Sequence, residues 1–204
     1  MIKAAALVSG SGANLQAVLD SLYFNEIPDF QLGAVICDDA DAYALTRAKN
    51  AGIPAYVVDP SDFPNASSHS MAVSAKLRDM DIDLVFLADY SMPLGVISSS
   101  FRNSVIGTCP ALVPAFDGLD GDPVRAALER GCKVSGATAY FTDADGRIGP
   151  IILQKAVDIL PDDSVESLRR RIMEDAEWKI LPQALILYCQ GKLSIHGERV
   201  VIAD

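Results

Sequence analysis

The strongest constraint on this chain is an alternation of short apolar runs with amphipathic stretches through its first half. Lys3–Val8, Gln31–Cys37, Ala55–Val58 and Leu84–Ala88 read as strands, with helices expected over Ala13–Leu22, Tyr43–Ala51 and Ala66–Met80 between them. Gly52 stands where a helix C-cap needs a left-handed residue. Met71, Val73, Leu77 and Met80 supply an inner face for the third helix. Leu84–Ala88 has no polar residue, the mark of a strand covered on both sides. A β-α-β-α rhythm of this kind implies a mostly parallel, twisted sheet with right-handed crossovers and helices on both faces, an α/β fold.

The second half is less regular. Ser104–Thr108 reads as another buried strand, and Pro123–Arg130 as a short helix with proline in its first turn. Val134–Phe141 and Pro150–Val157 flank the polar turn Asp143-Ala144-Asp145-Gly146 and form a hairpin. A long helix starts near Asp163 or Ser164, with Glu166 placed for a capping box with Asp163. Its apolar stripe is Leu168, Ile172, Ala176 and Ile180, Pro182 is expected to kink it, and Cys189-Gln190-Gly191 ends it. Lys192–Ile202 closes the chain as a hairpin turning at His196-Gly197. With no repeat or linker in 204 residues, residues 1–204 are expected to form a single domain.

Composition excludes several functions. A net charge of −10 opposes binding to nucleic acid or an anionic membrane, both of which need clustered cations. The longest basic run, Arg169-Arg170-Arg171, falls on the expected helix and reads as a solvated face. Ser9-Gly10-Ser11-Gly12 cuts the N-terminal apolar run too short for a secretion signal, and no stretch could span a bilayer. Cys37, Cys109, Cys132 and Cys189 lack metal-ligand spacing and only His69 and His196 accompany them, so no metal site is expected. Both histidines read as surface residues. A reducing, cytoplasmic setting follows from the unpaired pattern of cysteines.

The segment after the first strand carries the first chemical signal. Two glycines in Gly10-Ser11-Gly12-Ala13-Asn14 let backbone approach a ligand closely, and the N–H groups opening the next helix form an anion site suited to a phosphate. The spacing fits neither a dinucleotide fingerprint nor a Walker loop, and a ligand-free tight turn remains the plain alternative.

Gly10-x-Gly12-x-Asn14-Leu15-Gln16 directly after an N-terminal strand resembles the opening of the phosphoribosylglycinamide formyltransferases. The resemblance continues through Asp41–Leu45, Ala51-Gly52-Ile53-Pro54, Asp83–Ala88, Gly149–Gln154 and Glu177–Pro182. It implies a Rossmann-like formyltransferase fold and transfer of a formyl group from 10-formyltetrahydrofolate to glycinamide ribonucleotide, in purine biosynthesis. On this resemblance Gly10, Ser11, Gly12, Ala13 and Asn14 bind the substrate phosphate, and Glu177 binds its ribose. Asp89, Tyr90, Ser91, Met92 and Leu94 form the folate loop. The partners implied are a small phosphorylated substrate and a folate, in a monomer or homodimer.

Such a transfer passes through a tetrahedral oxyanion. It needs donors aimed at the developing charge and a group of pKa near 7 to move protons. The family meets this with Asn-x-His-Pro and Asp-x-Gly-Pro sequences. Here the corresponding stretches read Gly107-Thr108-Cys109-Pro110 and Arg147-Ile148-Gly149-Pro150. The donor, the imidazole and the carboxylate are all replaced, and Asp143 or Asp145 is a candidate substitute for the last. Ala13 stands in place of the family's hydroxyl residue, and Asp89 in place of a glycine. Asn65-Ala66-Ser67 lacks the family's basic residue, and the acidic loop Phe116–Asp122 has no histidine. Cys109 reads as an inert thiol, since no neighbouring base is evident. Two functions stay open: a formyltransferase with a degenerate site, and a non-catalytic relative binding a phosphorylated or folate-like ligand or a partner protein.

Overall fold

The computed structural model describes residues 1–117 and 121–203. Nine strands form one sheet: β1 (Ile2–Val8), β2 (Phe30–Cys37), β3 (Ala55–Val57), β4 (Leu84–Ala88), β5 (Val105–Cys109), β6 (Val134–Thr142), β7 (Ile148–Asp158), β8 (Leu193–His196) and β9 (Arg199–Ile202). They lie in the order β3-β2-β1-β4-β5-β6-β7-β9-β8. Pairing is parallel from β3 through β5, and antiparallel along β5-β6-β7. The terminal hairpin β8-β9 joins the edge at Ile151 and Arg199. The mostly parallel sheet, the middle hairpin and the terminal hairpin are those expected from the sequence.

Strand alternation divides the core into two layers. Ala4, Ala6, Val8, Leu84, Phe86 and Ala88 face one layer, where they meet Leu15 and Val18 of α1 (Ala13–Tyr23) and Ala44 and Ala48 of α2 (Tyr43–Asn50). Ala5, Leu7, Val85 and Leu87 face the other, against Val73 and Leu77 of α3 (Ala66–Asp79) and Ile97 of α4 (Gly95–Ser100). A bulge between Ala4 and Ala5 skips Gly33, which puts Leu32 and Val35 on one face despite their odd spacing. Helix α5 (Pro123–Glu129) starts at Asp122, whose side chain accepts from Val124 N–H.

The long C-terminal helix departs from expectation in two ways. Its capping box is Ser164 with Ser167, while Asp163 accepts from Ser167 Oγ and Glu166 pairs with Arg170 on the surface. Its irregularity lies upstream of Pro182: α6 (Val165–Ile172) passes through a π-helical turn (Met173–Glu177) into α7 (Trp178–Cys189), which runs through Pro182. Proline cannot bond to the carbonyl four residues back, at Trp178, and the ladder changes pitch just before that residue. The wider turn buries two consecutive residues, Ala176 and Glu177.

Two smaller expectations fail, and one short helix was not foreseen. Met71 is 58% exposed, leaving Val73 and Leu77 to anchor α3. Helix α4 went unforeseen, because its Gly-Val-Ile-Ser-Ser-Ser sequence has neither period nor strong propensity. His69 is buried, with Nε2 2.9 Å from Val58 O and its ring edge-on to Phe63, so it fastens α3 to the segment after β3. The Arg169-Arg170-Arg171 face is used in three ion pairs, with Asp122, Glu166 and Asp163.

Phe86 is fully buried on the central strand β4. Phe86→Ala should therefore lower the unfolding free energy by about 3–5 kcal/mol, measured by denaturant titration.

Candidate active site

Strand order reverses at β1: β2 pairs on one side of it, and β4 with β5 continues on the other. Loops leaving the carboxyl ends of strands on either side of such a reversal diverge to opposite faces and leave a crevice between them. The loops here are the glycine loop after β1 and the 89–94 loop after β4, beside the end of β5 at Thr108 and Cys109.

Gly12 is the N-cap of α1, with φ 65°, and a Cβ there would stand 2.8 Å from Ala44 Cβ. Only glycine meets both demands. No side chain caps α1 and no acidic residue occupies its first turn, so its opening N–H groups remain free to meet an anion. Arg47 braces the loop from α2, donating from Nε to Ser11 O at 2.9 Å and from Nη1 to Gln16 Oε1 at 2.9 Å. Nothing in the spacing of Arg47 along the chain points to this role.

The 89–94 loop is tied to the glycine loop side by polar contacts. Ser9 Oγ donates to Asp38 Oδ2 at 2.7 Å, Ser91 Oγ to the same oxygen at 3.1 Å, and Ser91 N–H to Ser9 Oγ at 3.1 Å. Ser9 and Asp38 follow neighbouring strands, β1 and β2, which is the one signal that pairs them. Tyr90 is half-buried and Leu94 buried, the latter packed against Gly146 of the β6-β7 turn. Asp89 adopts φ 62°, a conformation tolerated by Asp at modest cost, and its Oδ1 accepts from Asn14 Nδ2 at 2.9 Å. Its carboxyl therefore turns toward the glycine loop.

Asn14 is 1% exposed, and its Oδ1 has no partner among the described residues. Beside it lies Glu177, turned inward by the π-helical turn and also buried. Loss of water and then the charge of Asp89 push the Glu177 carboxyl up to about 7, against the Thr108 hydroxyl, the Asn14 amide and the more distant Arg169. Asp89 is exposed on its outer side, yet the water lost on its inner side raises its carboxyl as well, opposed by Asn14. Two carboxyls facing one amide share the cost of ionising together.

Cys109 is half-buried, and burial, reinforced by Glu177, pushes its thiol up to about 11. Gly107, buried on β5, lies across from Tyr140 of β6. Arg147 is exposed, its side chain without a hydrogen bond among the described residues. Asp143 Oδ1 accepts from Asp145 N–H at 2.9 Å and Arg147 N–H at 2.8 Å, which commits it to closing the β6-β7 turn. Asp143 also borders a groove of about 690 Å³ with Ser98, Thr142 and Pro150, lined by neither Cys109 nor Glu177. Asp145 is exposed and Met92 half-buried. Gly118, Leu119 and Asp120 of the acidic loop lie outside the described residues. Of the residues singled out in the sequence, Asn14, Asp89, Cys109 and Glu177 gather in one cluster, and Thr108 and Tyr140 join it unforeseen. Among the described residues no three His, Cys, Asp or Glu side chains could hold a metal, and no helix is long and apolar enough to cross a membrane.

Comparison with known proteins agrees with this architecture. The sequence pattern described as "Formyl transferase" matches residues 2–185. A phosphoribosylglycinamide formyltransferase of Haemophilus influenzae is 34% identical over 199 residues, 97% of this chain and 92% of that protein. The human trifunctional purine biosynthetic protein adenosine-3 is 34% identical over 197 residues, 96% of this chain but 19% of that longer protein. Among solved structures, glycinamide ribonucleotide transformylase 1 from Symbiobacterium toebii superposes with a TM-score of 0.94 at 44% identity, over 100% of this chain and 95% of that one.

The raised carboxyl has a measurable consequence. A carboxyl whose pKa rises on folding, here from 4.5 to about 7, holds its proton more tightly folded than unfolded. Stability is then greatest below about pH 4.5, falls as pH rises to about 7, and is flat beyond as far as this group is concerned. Thermal unfolding between pH 4.5 and 8 should show that decline, and Glu177→Gln should flatten it.

Proposed function

The chain belongs to the formyl transferase family, and we propose that its crevice binds glycinamide ribonucleotide and 10-formyltetrahydrofolate and transfers the formyl group between them slowly. The phosphate lies on the Gly10–Asn14 loop, against the free N–H groups of α1. The ribose lies toward Glu177, and the folate beside the 89–94 loop. The observation that carries this reading is the burial of Glu177 beside Asn14 and Asp89 at the crevice, which pushes its carboxyl up to about 7. A group that titrates there can take a proton from the attacking amine and return it at working pH.

The rate is low for a physical reason. Position 109 carries a thiol that stays protonated, and position 147 a cation turned to solvent. Loss of an acid–base group costs roughly 10²–10⁴ in rate, and the losses at one site overlap rather than multiply. The same two residues support a second reading, a cleft that binds both ligands without turnover.

Purified protein given both substrates, with folate release followed by absorbance, should turn over below the common enzyme range of about 1–10³ s⁻¹. Calorimetry should detect binding of each substrate alone. Failure to bind either one sinks the proposal, and binding of both with no folate release selects the second reading. Because its thiol is protonated at neutral pH, Cys109→Ser should change turnover by less than about threefold.

A further inference from the structure

Gly107 of β5 and Tyr140 of β6 are cross-strand neighbours. The phenol ring folds over the bare glycine and takes the space that a side chain there would use. A Cβ at position 107 would stand 3.0 Å from Tyr140 Cζ, 3.0 Å from its hydroxyl oxygen and 3.0 Å from Leu87 Cδ1. Gly107 is not among the residues with positive φ, so its neighbours, not its backbone, demand the absence of a side chain. The Tyr140 hydroxyl has no hydrogen-bond partner among the described residues. Gly107 and Cys109, two residues apart, share one face of β5, so a hydroxyl lying over Gly107 stands on the side of the strand that carries Cys109. Burial together with Cys109 and Glu177 raises the pKa of the Tyr140 hydroxyl above the ordinary phenol value. It therefore keeps its proton throughout the working pH range and stands as an unspent donor in the crevice.

We propose that Tyr140 is the hydrogen-bond donor to the formyl oxygen in this cleft, a catalytic residue that supplies from β6 what position 107 cannot. The inference rests on the reading of the crevice as a formyl-transfer site. In that reaction the amine nitrogen forms a bond to the formyl carbon, and the carbonyl electron pair moves onto oxygen. The pair returns as the bond from carbon to the folate N10 breaks. One proton leaves the amine and one arrives at N10, so none is consumed. Tyr140 transfers no proton. Its hydrogen bond steadies the transient oxyanion, where a fixed donor is worth most.

The test uses the 204-residue chain and two variants, Tyr140→Phe and Gly107→Ala. Tyr140→Phe keeps the ring over Gly107 and removes the hydroxyl alone, while the methyl of Gly107→Ala pushes the phenol aside. Tyr140→Phe should lower kcat about 10²-fold, the cost of one lost oxyanion donor, with an unchanged thermal midpoint. KM for glycinamide ribonucleotide should stay within about twofold, because the bond is made to the formyl oxygen carried by the folate and strengthens as charge develops there. Gly107→Ala should lower kcat in the same direction. Full kcat in either variant, or a loss confined to KM, overturns the assignment. If the wild-type chain binds both substrates without turnover, Tyr140→Phe should weaken 10-formyltetrahydrofolate binding about 3–10-fold, the worth of one hydrogen bond, and unchanged affinity overturns it. If the wild-type chain binds neither substrate, the functional reading itself falls and takes this assignment with it.

Discussion

The arrangement of this protein depends on one topological fact: β1 is hydrogen-bonded to β2 on one side and to β4 on the other. Chain leaving β1 crosses one face of the sheet through α1, and chain entering β4 arrives from α3 on the opposite face. The loops at the carboxyl ends of these strands cannot close over one another, so a crevice opens there without any special sequence. What is special is how the crevice is held. Ala44 packs on Gly12, Arg47 binds Ser11 O, and Asp38 gathers Ser9 and Ser91. Two of these contacts come from helix α2 and the third from the residue just after β2, so regular elements packed on the sheet set the shape of the site.

Within that frame, the electrostatics of the crevice are those of excess negative charge. Asp89 and Glu177 flank Asn14, and Arg169, whose positive charge opposes the rise of both carboxyls, is already paired with Asp122 at 2.6 Å. A carboxyl buried near another carboxyl keeps its proton longer, which moves Glu177 into the range where imidazole ordinarily works. Burial raises Cys109 and Tyr140 too, and the same negative charge adds to it. Burial, reinforced by negative charge, therefore raises the carboxyl, the thiol and the phenol of this one cluster together. The orphaned Asn14 Oδ1 fits this picture, because a protonated Glu177 has a hydrogen to offer it.

Much of the architecture was legible because the relevant signals are local. The unbroken apolar run Leu84–Ala88 could only be a strand covered on both faces, and the Asp143–Gly146 turn between alternating strands could only be a hairpin. The glycine loop between β1 and α1 was legible too, since glycine spacing after a strand reports backbone geometry directly. What escaped depends on distance in sequence. His69 looks like an ordinary helix-start residue until Val58 and Phe63 close on it. The π-helical turn leaves no pattern of its own, since Leu168, Ile172, Ala176 and Ile180 keep the spacing of an ordinary helix. Tyr140 was invisible because a tyrosine in a strand alternation reads as packing, and only the register of β5 against β6 sets it over Gly107.

That register changes how the substitutions in this site should be counted. Position 107 and position 140 compete for one volume, so a side chain at the first and a phenol at the second are alternatives, not independent choices. Residues that share a space couple strongly, and their effects do not add. Introducing an asparagine at 107 while Tyr140 remains would overpack the strand pair, a change that costs roughly 1–3 kcal/mol and displaces whatever the phenol contributes. A motif that looks eroded when read along the chain is thus, in space, a different solution to the same packing problem. On the proposed reading the donor comes from β6 and not from β5, because the volume between the two strands has room for one side chain.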